Sequence, residues 1–222
     1  MRPGRPFCAV ALAALALAAA CGARSSMTPV GPPGSWRDDL EGLRAARDAA
    51  FRTDPDSPIP AGSRATFHGL DYFPPDPSWR YAGFVEMYAA PEKLTLVTTA
   101  GKPRPCARVG RVTFARDGRP MALQVYRLLD MPERAGGEGL FLPFKDRTTG
   151  KETYPAGRYV DLEGPEGGPF VLDFNRAYDP SCAYGDAARF ECPVTPQENL
   201  LPVRVAAGER GPWAHGPTAD TR

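Results

Sequence analysis

Three features of the 222-residue sequence predict a mostly β fold, a curled antiparallel sheet in barrel-like or sandwich form led by one N-terminal amphipathic helix. Short apolar or alternating runs recur along the chain, rich in the Val, Tyr, Phe and Thr that fit a pleated, half-buried surface. Glycine-bearing turns separate these runs, and helical periodicity is visible once, near the start of the body. The 23 glycines and 26 prolines together exclude a protein of long helices, since an average chain carries only roughly 12% of the two combined.

Residues 1–20 open with Arg2 and Arg5, continue through an apolar stretch from Phe7 to Leu17 and end in Ala18, Ala19 and Ala20. That is the charge, apolar and small-residue order of a bacterial secretory signal. The apolar stretch falls short of the roughly 20 residues that a bilayer core requires, which favours a cleaved leader over a membrane span. Cys21, followed by Gly22, resembles the lipidated cysteine of a bacterial lipoprotein, although Ala18 stands where Leu is usual and Leu17 lies one place early. The expectation is therefore an exported protein, lipid-anchored to the cell envelope through Cys21, with secretion or a periplasmic location as the alternative. Residues 21–34 carry little apolar mass and several helix breakers, and read as a flexible tether.

A single mostly β domain is expected over 35–210. Ser35 with Asp38 forms an acidic variant of the capping box. Trp36, Leu40, Leu43, Arg47, Ala50 and Phe51 follow at helical spacing, giving a helix over 36–51 whose stripe packs on the body. Asp54-Pro55 stops it, because the residue before a proline is pushed out of the helical region. Strands are predicted at 65–70, 80–88, 94–99, 107–115, 121–128, 139–143, 158–162, 170–174 and 201–205. Asp117-Gly118 is the clearest hairpin turn among them. Residues 211–222 read as a frayed tail. No internal repeat is visible, and the strand spacing is too irregular for a propeller.

Charge is nearly balanced, with 27 basic and 26 acidic side chains, and only Arg2 and Arg5 fall in the leader. Nothing in that balance would hold a phosphate backbone, so no nucleic-acid partner is expected.

Four polar runs are specific enough to compare with a known family. They are 67–76 (Phe-His-Gly-Leu-Asp-Tyr-Phe-Pro-Pro-Asp), 141–154, 157–162 (Gly-Arg-Tyr-Val-Asp-Leu) and 172–184, which includes Asp173, Asn175, Arg176, Tyr178 and Cys182. Cys192-Pro193, Glu198-Asn199 and Ala207-Gly208-Glu209 continue the pattern. Over about 36–210 the chain resembles the bacterial domain of unknown function numbered 1684. The resemblance implies a mostly β domain and supplies no activity, substrate or cofactor. Pro155 and Ala156 stand where that family tends to be glycine-rich, and Asp179 stands where it commonly has Asn.

Candidate chemistry centres on the strands at 158–162 and 170–174. Alternation puts Asp173 and Asn175 on one face, with Leu172 and Phe174 on the other, while Tyr159 and Asp161 share a face opposite Arg158. If the two strands pair as neighbours, Asp161 and Asp173 approach, and two close carboxylates can split their proton affinities into an acid and a base. Arg158 or Arg176 can instead neutralise them in a structural network. Candidate catalytic residues are Asp161, Asp173, Arg176, His68 and Glu198; candidate ligand contacts are Arg158, Asp173, Asn175, Arg176 and Tyr178. The segment 145–154 lacks the glycine spacing of a phosphate loop and reads as a solvent-facing hairpin.

Cys182 and Cys192 are expected to pair as a disulfide, since export leads to an oxidising space. Such a bond would close a loop of about 11 residues and constrain the unfolded chain by roughly 2 to 3 kcal/mol in the entropy model. Cys106 reads as a buried free thiol. With only His68 and His215, and no close Cys or His pair beside either, no metal is expected. No cofactor is expected: the Rossmann glycine signature is absent, as is the Gly-x-Ser-x-Gly elbow of one hydrolase design. Three functions remain open on sequence alone. The leading one is an envelope lipoprotein binding a small ligand or an envelope protein partner through a polar cleft near 173–182; the others are an extracytoplasmic acid/base enzyme and a purely structural envelope module.

Overall fold

The computed structural model describes residues 26–130, 139–162, 168–185 and 189–211. The leader, Cys21 and all of the expected tail beyond Gly211 lie outside them. The elements run in order β1 (Thr28–Pro29), α1 (Trp36–Thr53), β2 (Asp71–Tyr72), β3 (Arg80–Gly83), β4 (Glu86–Val97), β5 (Pro103–Arg116), β6 (Arg119–Leu128), β7 (Leu140–Phe144), β8 (Arg158–Asp161), β9 (Phe170–Asp173) and β10 (Glu209–Arg210), with short 3₁₀ turns between several of them.

These strands form three antiparallel sheets. The largest has the order β4-β5-β6-β7-β8, the second β1-β3-β9, and the third is the pair β10-β2. Among the described residues none closes into a barrel, so the barrel-like form of the expected fold gives way to packed, curled sheets. The β5–β6 hairpin turns where the sequence places it, with Asp117 at φ 51° and Gly118 at φ 72°, the left-handed pair that matches strand twist.

One apolar core lies between the two larger sheets. Phe174 is its hub, its ring 5.2 to 5.7 Å from those of Phe144, Trp79 and Phe114. Leu123, Leu142 and Leu172 are fully buried around it. Leu142 and Val160 face this core, whereas Phe141 and Tyr159 face a smaller cluster with Leu96, Cys106 and Tyr126. Strand alternation therefore loads both faces of β7 and β8.

Several expectations change. The run 65–70 is not a strand: Ala61–Thr66 is a 3₁₀ turn, and the Leu70 amide is taken up by Asp48 Oδ1 at 3.0 Å. The run 201–205 is coil, its backbone satisfied by Lys145, Asp146 and Arg158 instead of a neighbouring strand. The predicted strand 80–88 is split into β3 and the start of β4. Within the expected tether, Met27 is buried and its amide donates to the Thr113 carbonyl at 2.7 Å, while Thr28–Pro29 pairs with β3. Gly83 makes that docking feasible, because a Cβ there would come 2.9 Å from Met27 Cγ. Helix α1 extends to Thr53, with Asp38 and Asp39 in its first turn and Arg52 in its last, as the helix dipole favours. Its capping box does not form; Ser35 Oγ donates to Asp39 Oδ2 instead. Trp36, Leu40 and Phe51 are buried as the stripe predicts, but Leu43 is exposed.

Candidate functional site

A cleft of about 210 Å³ opens between the first two turns of α1, the Pro33 turn, β3 and β9. Its floor is set by a cross-strand ion pair. Arg80 at the start of β3 stands directly opposite Asp173 at the end of β9, and its Nε donates to Asp173 Oδ2 at 3.0 Å. The indole N–H of Trp36 donates to the same oxygen at 2.8 Å. Asp173 Oδ1 accepts from the backbone and side-chain nitrogens of Asn175 at 2.9 and 2.8 Å, capping the 3₁₀ turn Phe174–Arg176. A second Arg80 bond goes to the Gly31 carbonyl at 2.8 Å, and its guanidinium lies 5.4 Å from the Trp36 ring. Both Asp173 oxygens are thus occupied and the ion pair is buried, the condition under which such a pair holds its geometry.

The walls are mixed. Leu43 and Val171 are 47% and 43% exposed, an apolar pair at the mouth. Asp39 and Arg176 complete the lining, so two carboxylates and two guanidiniums offset one another in charge.

A second polar cluster is sealed. Arg158, 1% exposed, donates to the carbonyls of Ala207, Val205 and Glu209 at 2.6, 2.9 and 3.2 Å and approaches Asp146 at 3.5 Å. Burial pushes its guanidinium below its ordinary value, against the pull of Asp146. Asp146 also accepts from Thr148 Oγ1 and the Val205 amide, both at 2.6 Å. The segment 145–154 is therefore a turn anchored by the buried polar side chains of Asp146, Thr148 and Thr153, with Arg147, Gly150 and Lys151 left exposed, and not the wholly solvent-facing hairpin expected. Glu209 accepts from Arg47 at 3.3 Å and from the Asp179 amide at 2.6 Å. Gly208 at φ 80° makes this approach possible, because a Cβ there would lie 2.6 Å from the Ala177 carbonyl. Asp179 is starved by comparison: Oδ1 has the Tyr154 amide at 3.5 Å, and Oδ2 is buried with no hydrogen-bond partner among the described residues. Burial, reinforced by Glu209, raises its pKa to about 8.

Tyr159 and Tyr178 pair through their backbones, and the Tyr178 hydroxyl donates to Asp161 at 2.9 Å. Beside Tyr159, Cys182 and Cys192 lie together as free thiols. The Cys182 amide donates to Cys192 Sγ at 3.4 Å, the two thiols hydrogen-bond each other, and Thr99 and Tyr154 hydroxyls reach Cys182.

The expected juxtaposition of Asp161 and Asp173 fails. Strand β8 pairs with β7 and β9 with β3, so the two carboxylates belong to different sheets and each has its own partners. Asp173 and Arg176 line the cleft, and Asn175 bonds Asp173 without lining it. Arg158 belongs to the sealed cluster, and Tyr178 to Asp161. Glu198 lies elsewhere, accepting from Tyr126 Oη at 2.7 Å and pairing with Arg108 at 3.3 Å. His68 is exposed on coil. Sequence reasoning missed Arg80, Asp39 and Val171, and took Trp36 and Leu43 for core; no spacing links residues that meet only through the β3–β9 register. Among the described residues no three His, Cys, Asp or Glu side chains converge as metal ligands.

The fold and cleft define a class: an antiparallel β domain whose leading helix covers one sheet edge over a small amphipathic recess. The chain belongs to the family described as Protein of unknown function (DUF1684), whose model matches residues 65–210. It is similar to an uncharacterized protein of Haloarcula marismortui known from a solution NMR structure, with 37% identity over 79% of this chain and 94% of that one, at a TM-score of 0.60. No curated protein matches the chain.

Proposed function

We propose that the chain is an exported, lipid-anchored binding domain whose cleft beneath α1 takes a small amphipathic ligand. The observation that supports this most is the pairing of a rigid polar floor, Arg80–Asp173–Trp36, with two exposed apolar side chains, Leu43 and Val171, at the same opening. Binding pockets are mostly apolar with a few fixed polar groups, and this recess has that composition on a small scale. Offset charges in the lining select a neutral or zwitterionic polar end, and the volume suits a small molecule or the head of a larger one. The leader of residues 1–20 and Cys21 support the anchored location.

Native mass spectrometry of protein isolated from its own envelope tests the ligand. A small-molecule adduct is expected on the wild type and lost in Val171→Trp, which fills the mouth. Identical adduct-free spectra for both proteins would leave a structural module as the better reading. Membrane fractionation tests the anchor: Cys21→Ala is expected to release the protein, and undiminished retention without lipid on the N-terminal peptide would remove the lipoprotein reading.

A further inference from the structure

Both backbones that carry Cys182 and Cys192 are tied down at the positions that bring the sulfurs together. Cys192 exchanges bonds with Thr99, its carbonyl accepting the Thr99 amide at 2.9 Å and its amide donating to Thr99 Oγ1 at 3.4 Å. Two residues on, the Val194 amide donates to Val97 at 2.8 Å. Cys182 sits in the 3₁₀ turn Ser181–Ala183, closed by the Ala183 and Tyr184 amides onto Pro180 and Ser181. The hydroxyls of Thr99 and Tyr154 reach Cys182 and favour its ionised form. Cys192 is partly exposed, which gives a reagent a way in, whereas Cys106 is fully buried in an apolar cluster.

We propose that Cys182 and Cys192 form a reversible dithiol–disulfide couple, oxidised by exchange with a small-molecule disulfide and reduced by a small dithiol. In the oxidising direction one protein sulfur attacks the incoming S–S bond, forming a mixed disulfide and releasing one thiol; the other protein sulfur then attacks the mixed disulfide and releases the second. Two protein S–H bonds and the reagent's S–S bond are lost, and one protein S–S bond and two reagent S–H bonds form. The protein loses two electrons and the reagent gains them. The hydrogen bond from Cys192 holds the Cys182 thiol down at about 6, with burial opposing and Tyr154 and Thr99 assisting, and the same bond pushes Cys192 up. One sulfur is thus a thiolate near neutral pH, the form that enters exchange. This couple is independent of the cleft, which shares none of its residues.

The test uses the full chain equilibrated natively with oxidised glutathione or with dithiothreitol, then alkylated and mapped by peptide mass so that Cys8 and Cys21 are read separately. In oxidised glutathione, both alkyl labels are expected to vanish together from Cys182 and Cys192, with recovery of the linked peptides. Dithiothreitol should restore both labels on the folded protein, and Cys106→Ala should behave as the wild type. Cys192→Ser should trap glutathione on Cys182. Retention of both labels after oxidised glutathione on the wild type would overturn the couple. So would a bond that native dithiothreitol leaves intact, which would make it a fixed structural link.

Discussion

Asp173 and Asp179 stand six residues apart on one stretch of chain, both almost fully buried, yet their surroundings are opposite. Asp173 has donors on both oxygens, from Trp36, Arg80 and Asn175, and borders an open cleft. Among the described residues Asp179 has one long bond and an oxygen without a partner, faces Glu209, and is fully buried. The difference separates two properties that sequence reading runs together. A strongly perturbed carboxylate need not be a site, because a sealed group meets no substrate; a well-paired carboxylate can still build one by fixing the floor of a recess. With its pKa raised to about 8, Asp179 is held largely as the neutral acid at neutral pH.

The contrast is broken most severely in the sealed cluster. Arg158→Ala removes the donor to three carbonyls and leaves Asp146 buried without its cation; losing one partner of a buried pair costs about 3 to 5 kcal/mol. Urea unfolding is expected to show a loss of that size or failure to fold. Arg80→Ala also breaks a buried pair and should fall at the lower end of that range, about 3 kcal/mol, because Arg80 gives up one carbonyl where Arg158 gives up three and Asp173 keeps Trp36 and Asn175. Equal losses for the two arginines would erase the distinction between the clusters.

Asp179→Asn sharpens the comparison through pH. A carboxyl raised from its ordinary 3.8 to about 8 in the folded protein contributes stability that is complete below about 4 and is lost as pH climbs through about 8. Wild-type stability should therefore fall across that window and the Asn variant should decline less. Glu209, also pushed up by burial, titrates in the same sense, so the variant's curve is flatter without being flat. Thermal melts at pH 5 and pH 8.5 check this, and parallel curves would show that Asp179 is not the titrating group. The smallest change in stability belongs to the cleft mouth. Leu43→Glu and Val171→Glu replace exposed side chains, so stability should stay within about 0.5 kcal/mol while the native adduct disappears.

Much of the scaffold was legible in the residues. Period-two runs and Asp117-Gly118 locate β5 and β6, and the stripe from Trp36 to Phe51 locates α1. The misses share a physical cause. At 65–70 the backbone is taken up by the 3₁₀ turn and by Asp48, and at 201–205 by the backbones of Lys145 and Arg147 with the side chains of Asp146 and Arg158, so strand-like composition builds no ladder. The site was half legible: Asp173, Asn175 and Arg176 announce themselves as polar residues around a strand end. Arg80 does not, because its role follows from β9 pairing with β3 across some ninety residues instead of with nearby β8.

Hydrogen–deuterium exchange on protein purified from its native host, compared with the same protein stripped by unfolding and refolding, goes to the heart of the matter. Extra protection in the host-derived sample, confined to residues 36–43 and 171–176, is the expected result. Identical exchange in the two samples, or a difference centred on the Arg158 cluster, would contradict the assignment of the recess under α1 as the binding surface.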